Sequence, residues 1–216
     1  MKIAFPLMLA LLGATFMAQA QELKGDAARG AKLDDTCMGC HGIVGYKASF
    51  PQVYRVPAIS GQNAKYLMAA LEEYKKGDRK HPTMRAVATS LSEQDMADLA
   101  AFYAGNGGAP SAPATVPAPP ADVAALLTKG ACASCHGENF SKPIDAAYPK
   151  IAGQYSDYLF DALKAYKTEG NRLVGRNNAI MGAQVKQFSD KELKAIAQYL
   201  GSLPSDVHTV PQAEFR

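Results

Sequence analysis

Two five-residue stretches hold the side chains best suited to chemistry. Cys37-Met38-Gly39-Cys40-His41 and Cys132-Ala133-Ser134-Cys135-His136 share the spacing Cys-x-x-Cys-His, and between them they use all four cysteines and two of the four histidines. That spacing is the attachment sequence for c-type haem. The two thiols add across vinyl groups of neighbouring pyrrole rings, and the histidine beside the second thiol reaches the iron from one face. Other uses of these residues fit less well. A Cys37–Cys40 disulfide would close too small a loop to stabilise much and would leave the repeated histidine unexplained. A redox dithiol belongs in a βαβ setting, and this chain reads as helical. A zinc site needs tetrahedral convergence, which a histidine adjacent to the second cysteine seldom reaches. Two covalently attached haem c groups are therefore expected.

Each iron then needs a ligand on its other face. Methionine opposite histidine is the arrangement that raises the potential of electron-transfer haems. Met38 is locked inside the attachment loop, and Met68 and Met96 align with Phe160 and Leu193 of the second half, so they read as core fillers. Met84 and Met181 remain, each eight residues ahead of a matching serine, Ser92 or Ser189. They are the expected axial partners of His41 and His136. His81, three residues before Met84, is a rival ligand, but the second half has no histidine in that region. His208 lies in a polar, proline-flanked stretch and is expected to be solvated.

These residues must be positioned by a chain written twice. SGQNAKYLMAALEEYKKG (60–77) aligns with AGQYSDYLFDALKAYKTEG (152–170), and LSEQDMADLAAFY (91–103) with FSDKELKAIAQYL (188–200). Both pairs read as helices. Leu67, Leu71 and Tyr74 recur at helical spacing, as do Leu159, Leu163 and Tyr166. Ser92 with Asp95, and Ser189 with Glu192, resemble capping boxes. Met96, Leu99, Ala100 and Tyr103 form an apolar stripe matched by Leu193, Ile196, Ala197 and Leu200. No strand pattern is evident. Between the copies, AGNGGAPSAPATVPAPPAD (104–122) carries five prolines and three glycines, which neither a helix nor a central strand accommodates. The expected architecture is all-α: a first domain over 21–105, an extended Pro/Ala-rich linker over 106–121, a second domain over 122–205 and a tail over 206–216. Units this small commonly need a staple or cofactor to complete their cores.

Residues 1–20 have the plan of a secretory signal peptide: Lys2, an apolar run, and Ala18-Gln19-Ala20 as the cleavage site. The run is short for a membrane span and contains Pro6. Export to the periplasm is expected, with the mature chain starting at Gln21. Formal net charge is only +3, and the Lys and Arg residues are spread evenly over both halves, so nucleic acid is not an expected partner. Lys75, Lys76, Arg79, Lys80 and Arg85, and Lys164, Lys167, Arg172 and Arg176, read as solvated helical faces, with a patch that steers an acidic partner as the alternative.

With its duplicated attachment motifs, Pro-x-x-x-Gly-Gln segments and methionine segments, the chain resembles the cytochrome c4 family over nearly all of its expected mature length. The resemblance implies two tandem class I cytochrome c domains, each wrapped around one haem. It also implies a close contact between the domains and a non-enzymatic role in carrying electrons toward a terminal oxidase. Donors would be a quinol-oxidising complex or a dehydrogenase, with peripheral membrane association compatible with that role. It further suggests that the carbonyls of Pro57 and Pro149 accept the free N–H of the ligating histidines, and that Gly30 lets the first helix approach the last. Ala125 stands at the position equivalent to Gly30. Alternatives are a haem subunit accepting electrons from a flavoprotein or other periplasmic dehydrogenase, and a catalytic di-haem enzyme.

Overall fold

The structure is a computed structural model that describes residues 23–109 and 112–211. The expected signal peptide lies outside the described residues. In the first half the elements are α1 (Ala27–Leu33), α2 (Asp35–His41), β1 (Lys47–Ala48), β2 (Tyr54–Arg55), α3 (Ala64–Lys76), β3 (Arg79–Lys80), α4 (Pro82–Ser90) and α5 (Glu93–Gly105). In the second half they are α6 (Ala121–Lys129), α7 (Ala133–His136), α8 (Ser156–Ala165), β4 (Gly175–Arg176), α9 (Ala179–Lys186) and α10 (Asp190–Ser202). Helices dominate, as the periodicity predicts. The four two-residue strands are too short to leave an alternating pattern in the sequence.

The long helices of each half meet at their apolar stripes. Leu67 of α3 packs with Leu99, Ala100 and Tyr103 of α5. In the second half Leu159 of α8 packs with Leu193, Ile196, Ala197 and Leu200 of α10, joined by Phe140, Val185 and Phe188. Both capping boxes form: the Ser92 and Ser189 hydroxyls accept from the amides of Asp95 and Glu192, and the two carboxylates accept from the serine amides. Each box satisfies two of the donors that a helix start leaves unpaired.

The Gly-Gln segments tie each half together. The amide of Gly61 donates to the Tyr103 carbonyl at 2.8 Å, and that of Gly153 donates to the Leu200 carbonyl at 2.8 Å. Both glycines have left-handed backbone, with φ of +84° and +65°, and a Cβ on either would overlap the chain at Asp206 or Ser205. Only glycine meets both demands.

The described parts of the linker and tail are less free than their composition suggests. Val116 packs on the second core, the Tyr199 hydroxyl donates to the Pro117 carbonyl, and Asn139 Nδ2 donates to that of Pro113. Of the expected polar tail, Asp206 and Val207 are buried, and His208 forms a backbone bridge with Ser60 of the first half, its amide donating at 2.9 Å. The side chain of His208 is exposed, as expected.

The two halves also meet through a strand pair and an ion pair. Strands β3 and β4 pair antiparallel, one from each half, and Arg55 forms an ion pair with Asp157 at 3.0 Å.

Candidate haem sites

An apolar cavity of about 540 Å³ is lined by residues of both halves. Its wall includes Cys37, Cys40 and His41 from the first half and Cys132, Cys135 and His136 from the second. Local helix geometry explains how each motif is presented. Cys37, Cys40 and His41 lie on α2, where the i, i+3 and i+4 positions share a face. In the second half Cys132 caps α7, which ends at His136. None of the four cysteines is paired in a disulfide. Among the described residues no three cysteine, histidine or acidic side chains converge where one ion could sit, so the motif geometry does not fit a zinc cluster. Burial pushes the Cys37 thiol up to about 11 and that of Cys132 upward, which favours neutral thiols over metal-binding thiolates.

Both histidines are oriented by backbone. His41 Nδ1 lies 2.9 Å from the Pro57 carbonyl oxygen, and His136 Nδ1 lies 3.0 Å from that of Pro149. A carbonyl can only accept, so Nδ1 carries the proton and Nε2 keeps its lone pair. Burial lowers the affinity of both rings for a second proton, against the smaller opposing influence of the carbonyls. A neutral imidazole with Nδ1–H pinned is the form that ligates a metal.

Met84 on α4 and Met181 on α9 line the same cavity, whereas Met68 and Met96 do not. Met96 is completely buried and Met68 packs against the first core. His81 and Asn178 occupy equivalent places: His81 Nδ1 accepts from the Met84 amide at 3.3 Å, and Asn178 Oδ1 from the Met181 amide at 2.9 Å. The repeat thus gives His81 a helix-capping role. The signal was present in the sequence as His-x-x-Met aligned with Asn-x-x-Met.

Two site residues were misread as surface. Arg79 is 5% exposed and Arg176 is half-buried, so they do not belong to solvated faces. Each guanidinium lies over two tyrosine rings at 5.3–5.6 Å, Arg79 over Tyr66 and Tyr74, Arg176 over Tyr158 and Tyr166. The flat, weakly hydrated guanidinium stacks on aromatic faces where an ammonium would not. Arg79 also pairs with Glu73 at 2.8 Å. Arg176 has no carboxylate within ion-pair distance among the described residues, and instead donates to the Tyr158 hydroxyl at 3.0 Å. Both arginines border the cavity. An apolar slot with thiol pairs, neutral histidines and cationic groups at its edge fits haem, an apolar ring with two carboxylates.

The comparisons with known proteins agree. Residues 27–104 and 120–204 match the family described as Cytochrome c. Over 94% of its length, the chain is 31% identical to cytochrome c4 of Azotobacter vinelandii, all of which is covered. The chain belongs to the cytochrome c4 family. The crystal structure of reduced recombinant cytochrome c4 from Pseudomonas stutzeri superposes with a TM-score of 0.61, at 27% identity, covering 83% of this chain and 100% of that one. As a cytochrome c4 family member the chain carries two covalently bound haem c groups, one per attachment motif, and its broad role is electron transfer. A thiosulfate dehydrogenase electron acceptor from Stutzerimonas stutzeri is 28% identical over 83% of the chain, with 83% of that protein covered. The thiosulfate dehydrogenase TsdBA from Marichromatium purpuratum matches with a TM-score of 0.60 at 26% identity, covering 82% of this chain and 40% of that one.

Proposed function

We propose that this protein is an exported, periplasmic electron carrier in which His41 and Met84 hold one iron, and His136 and Met181 the other. Cys37 and Cys40 would bind the first haem, Cys132 and Cys135 the second. The observation that carries the reading is that both histidines and both methionines, found as repeat-related pairs, border one cavity. When bound, haem supplies a one-electron couple. His41, Met84, His136 and Met181 would hold the irons, the apolar cavity wall would exclude water, and the Pro57 and Pro149 carbonyls fix the orientation of the two imidazoles. Two protein ligands per iron leave no position for a substrate, so the protein makes and breaks no bonds, and its partners are redox proteins. A quinol-oxidising complex or dehydrogenase would reduce it and a terminal oxidase would oxidise it. No described helix is long and apolar enough to cross a membrane.

The test is the absorption spectrum of the oxidised protein. Its weak far-red band, diagnostic of iron–methionine bonding, is expected to fall by about half in Met84→Ala and in Met181→Ala. An undiminished band in either variant removes that methionine from the assignment, and ready carbon monoxide binding by the reduced, unsubstituted protein would reject closed axial positions. A second reading, an electron-accepting subunit for a dehydrogenase, is favoured by the likeness to a thiosulfate dehydrogenase electron acceptor. Rapid reduction by thiosulfate only when a thiosulfate dehydrogenase is added supports it; equal reduction without that enzyme would instead indicate a catalytic di-haem protein.

A further inference from the structure

Two glutamines reach across the domain interface to the peptide units that orient the histidines. Gln154 is 5% exposed. Its Oε1 accepts from the Ala58 amide at 3.0 Å, and its Nε2 donates to the Ala58 carbonyl at 2.8 Å. Gln62 is 4% exposed and does the same to Lys150, with its Oε1 accepting at 2.9 Å and its Nε2 donating at 2.9 Å. The amide of Ala58 belongs to the same planar peptide unit as the Pro57 carbonyl, which receives His41 Nδ1–H. The amide of Lys150 likewise shares its peptide unit with the Pro149 carbonyl, which receives His136 Nδ1–H. Each histidine is therefore bonded to a peptide unit whose opposite end is held by the other domain.

We propose that Gln62 and Gln154 are positioning residues acting across the interface, each tuning the potential of the haem in the opposite domain. The inference rests on His41 and His136 being the axial histidines. A resonant peptide bond transmits polarisation between its ends. An N–H that donates to Gln Oε1 leaves its carbonyl a stronger acceptor, as in any hydrogen-bonded chain. The stronger acceptor draws on the imidazole Nδ1–H and makes Nε2 a better electron donor. More donation favours the ferric state and lowers the potential. Gln62 thus holds down the potential at His136, and Gln154 holds down that at His41. Separation of the domains would release both restraints.

The test measures each haem separately, by redox titration of the holoprotein followed through haem methyl NMR signals assigned to their domains. Gln62→Leu is expected to raise the potential of the second haem and leave the first in place; Gln154→Leu is expected to do the reverse. In the reduced protein the His136 Nδ1–H resonance should move upfield in Gln62→Leu, reporting a weaker hydrogen bond. Gln62→Glu restores the effect: protonated, its carboxyl keeps both hydrogen bonds, and ionised, it accepts more strongly, so the second potential returns to or below its original value. Asn63→Ala is the control, because it removes another neutral tie across the interface, from Asn63 Nδ2 to the Tyr148 carbonyl at 3.0 Å, and should leave both potentials alone. A shift in the same-domain haem, equal shifts in both, no shift, or an equal response to Asn63→Ala would each overturn the proposal. If the far-red iron–methionine band and both haem spectra persist in these variants, such a failure falls on the glutamines alone; a missing haem in the unsubstituted protein would instead overturn the reading beneath.

Discussion

In the first half, α1 lies so close to α5 that a Cβ on Gly30 would overlap the Asp98 carbonyl. The second half has Ala125 at that place, and α6 meets α10 through side chains, with Val123 buried and Leu126 and Leu127 packed on the core. The first half also buries charge: Asp98 is fully enclosed, pairs with Arg29 and accepts from the Asp26 amide at 2.7 Å, while the Tyr103 hydroxyl donates to buried Asp34. At the position of Tyr103 the second half has Leu200, inside a larger apolar cluster. Yet the histidine–proline contacts, the methionine caps and the crossing glutamines agree between halves to within a few tenths of an ångström. The groups proposed to hold the haem and their supports would be constrained by its chemistry, whereas the outer helices need only close around it and have diverged.

That contrast can be broken most severely in the cores. Leu193 and its counterpart Met96 are both 0% exposed. Leu193→Ala and Met96→Ala should each cost about 2–5 kcal/mol, seen as a lower guanidinium midpoint for the haem signal of the substituted half. Gly30→Ala forces α1 away from a backbone carbonyl and should cost about 3 kcal/mol, read by the same unfolding curves. The reciprocal change, Ala125→Gly, only loosens a helix and should cost about 1 kcal/mol.

A gentler probe is acid. Burial alone would raise the Asp98 carboxyl, but hydrogen bonds from the Asp26 amide, Arg29 and Gln94 hold it below the usual range. Asp95 is pulled down to about 2 by the Ser92 hydroxyl and amide and by Arg29. A depressed carboxylate contributes stability that is complete above its unfolded value, near pH 4, and is lost as pH falls through the folded one. Glu192 is also lowered by its serine cap, so both halves should weaken in acid. Each half has one more lowered carboxylate, Asp98 in the first and Asp157 in the second. The first should unfold at the higher pH because Asp98 is fully enclosed, whereas the Asp157 pair with Arg55 is a third exposed and screened. Circular dichroism with domain-resolved haem signals between pH 5 and pH 2 checks the order (about the span of these two values).

Much of the site was legible before any fold was known. The attachment motifs follow from a covalent reaction that needs fixed spacing, and Met84 and Met181 are the proposed ligands because a ligand cannot be exchanged for Phe160 or Leu193 in a repeated unit; both line the cavity. The helices were legible for a similar reason, since Leu67, Leu71 and Tyr74 or their counterparts can share a core only at helical spacing. Arg79 and Arg176 were not, because a cation in a polar run looks solvated until the tyrosines of α3 and α8 are seen to enclose it. His81 was read as a rival ligand because its capping geometry depends on the turn into α4.

By itself the sequence determined the covalent chemistry, the duplication and the helical faces, all matters of residue type and spacing along one chain. Which surfaces of the two halves meet was decided only by the tertiary structure. The pairing of β3 with β4, the return of His208 to Ser60, and the reach of each glutamine to the opposite proline segment join residues far apart in sequence. Such contacts depend on the relative placement of two folded bodies, and a neutral amide side chain carries no mark of the peptide it will find.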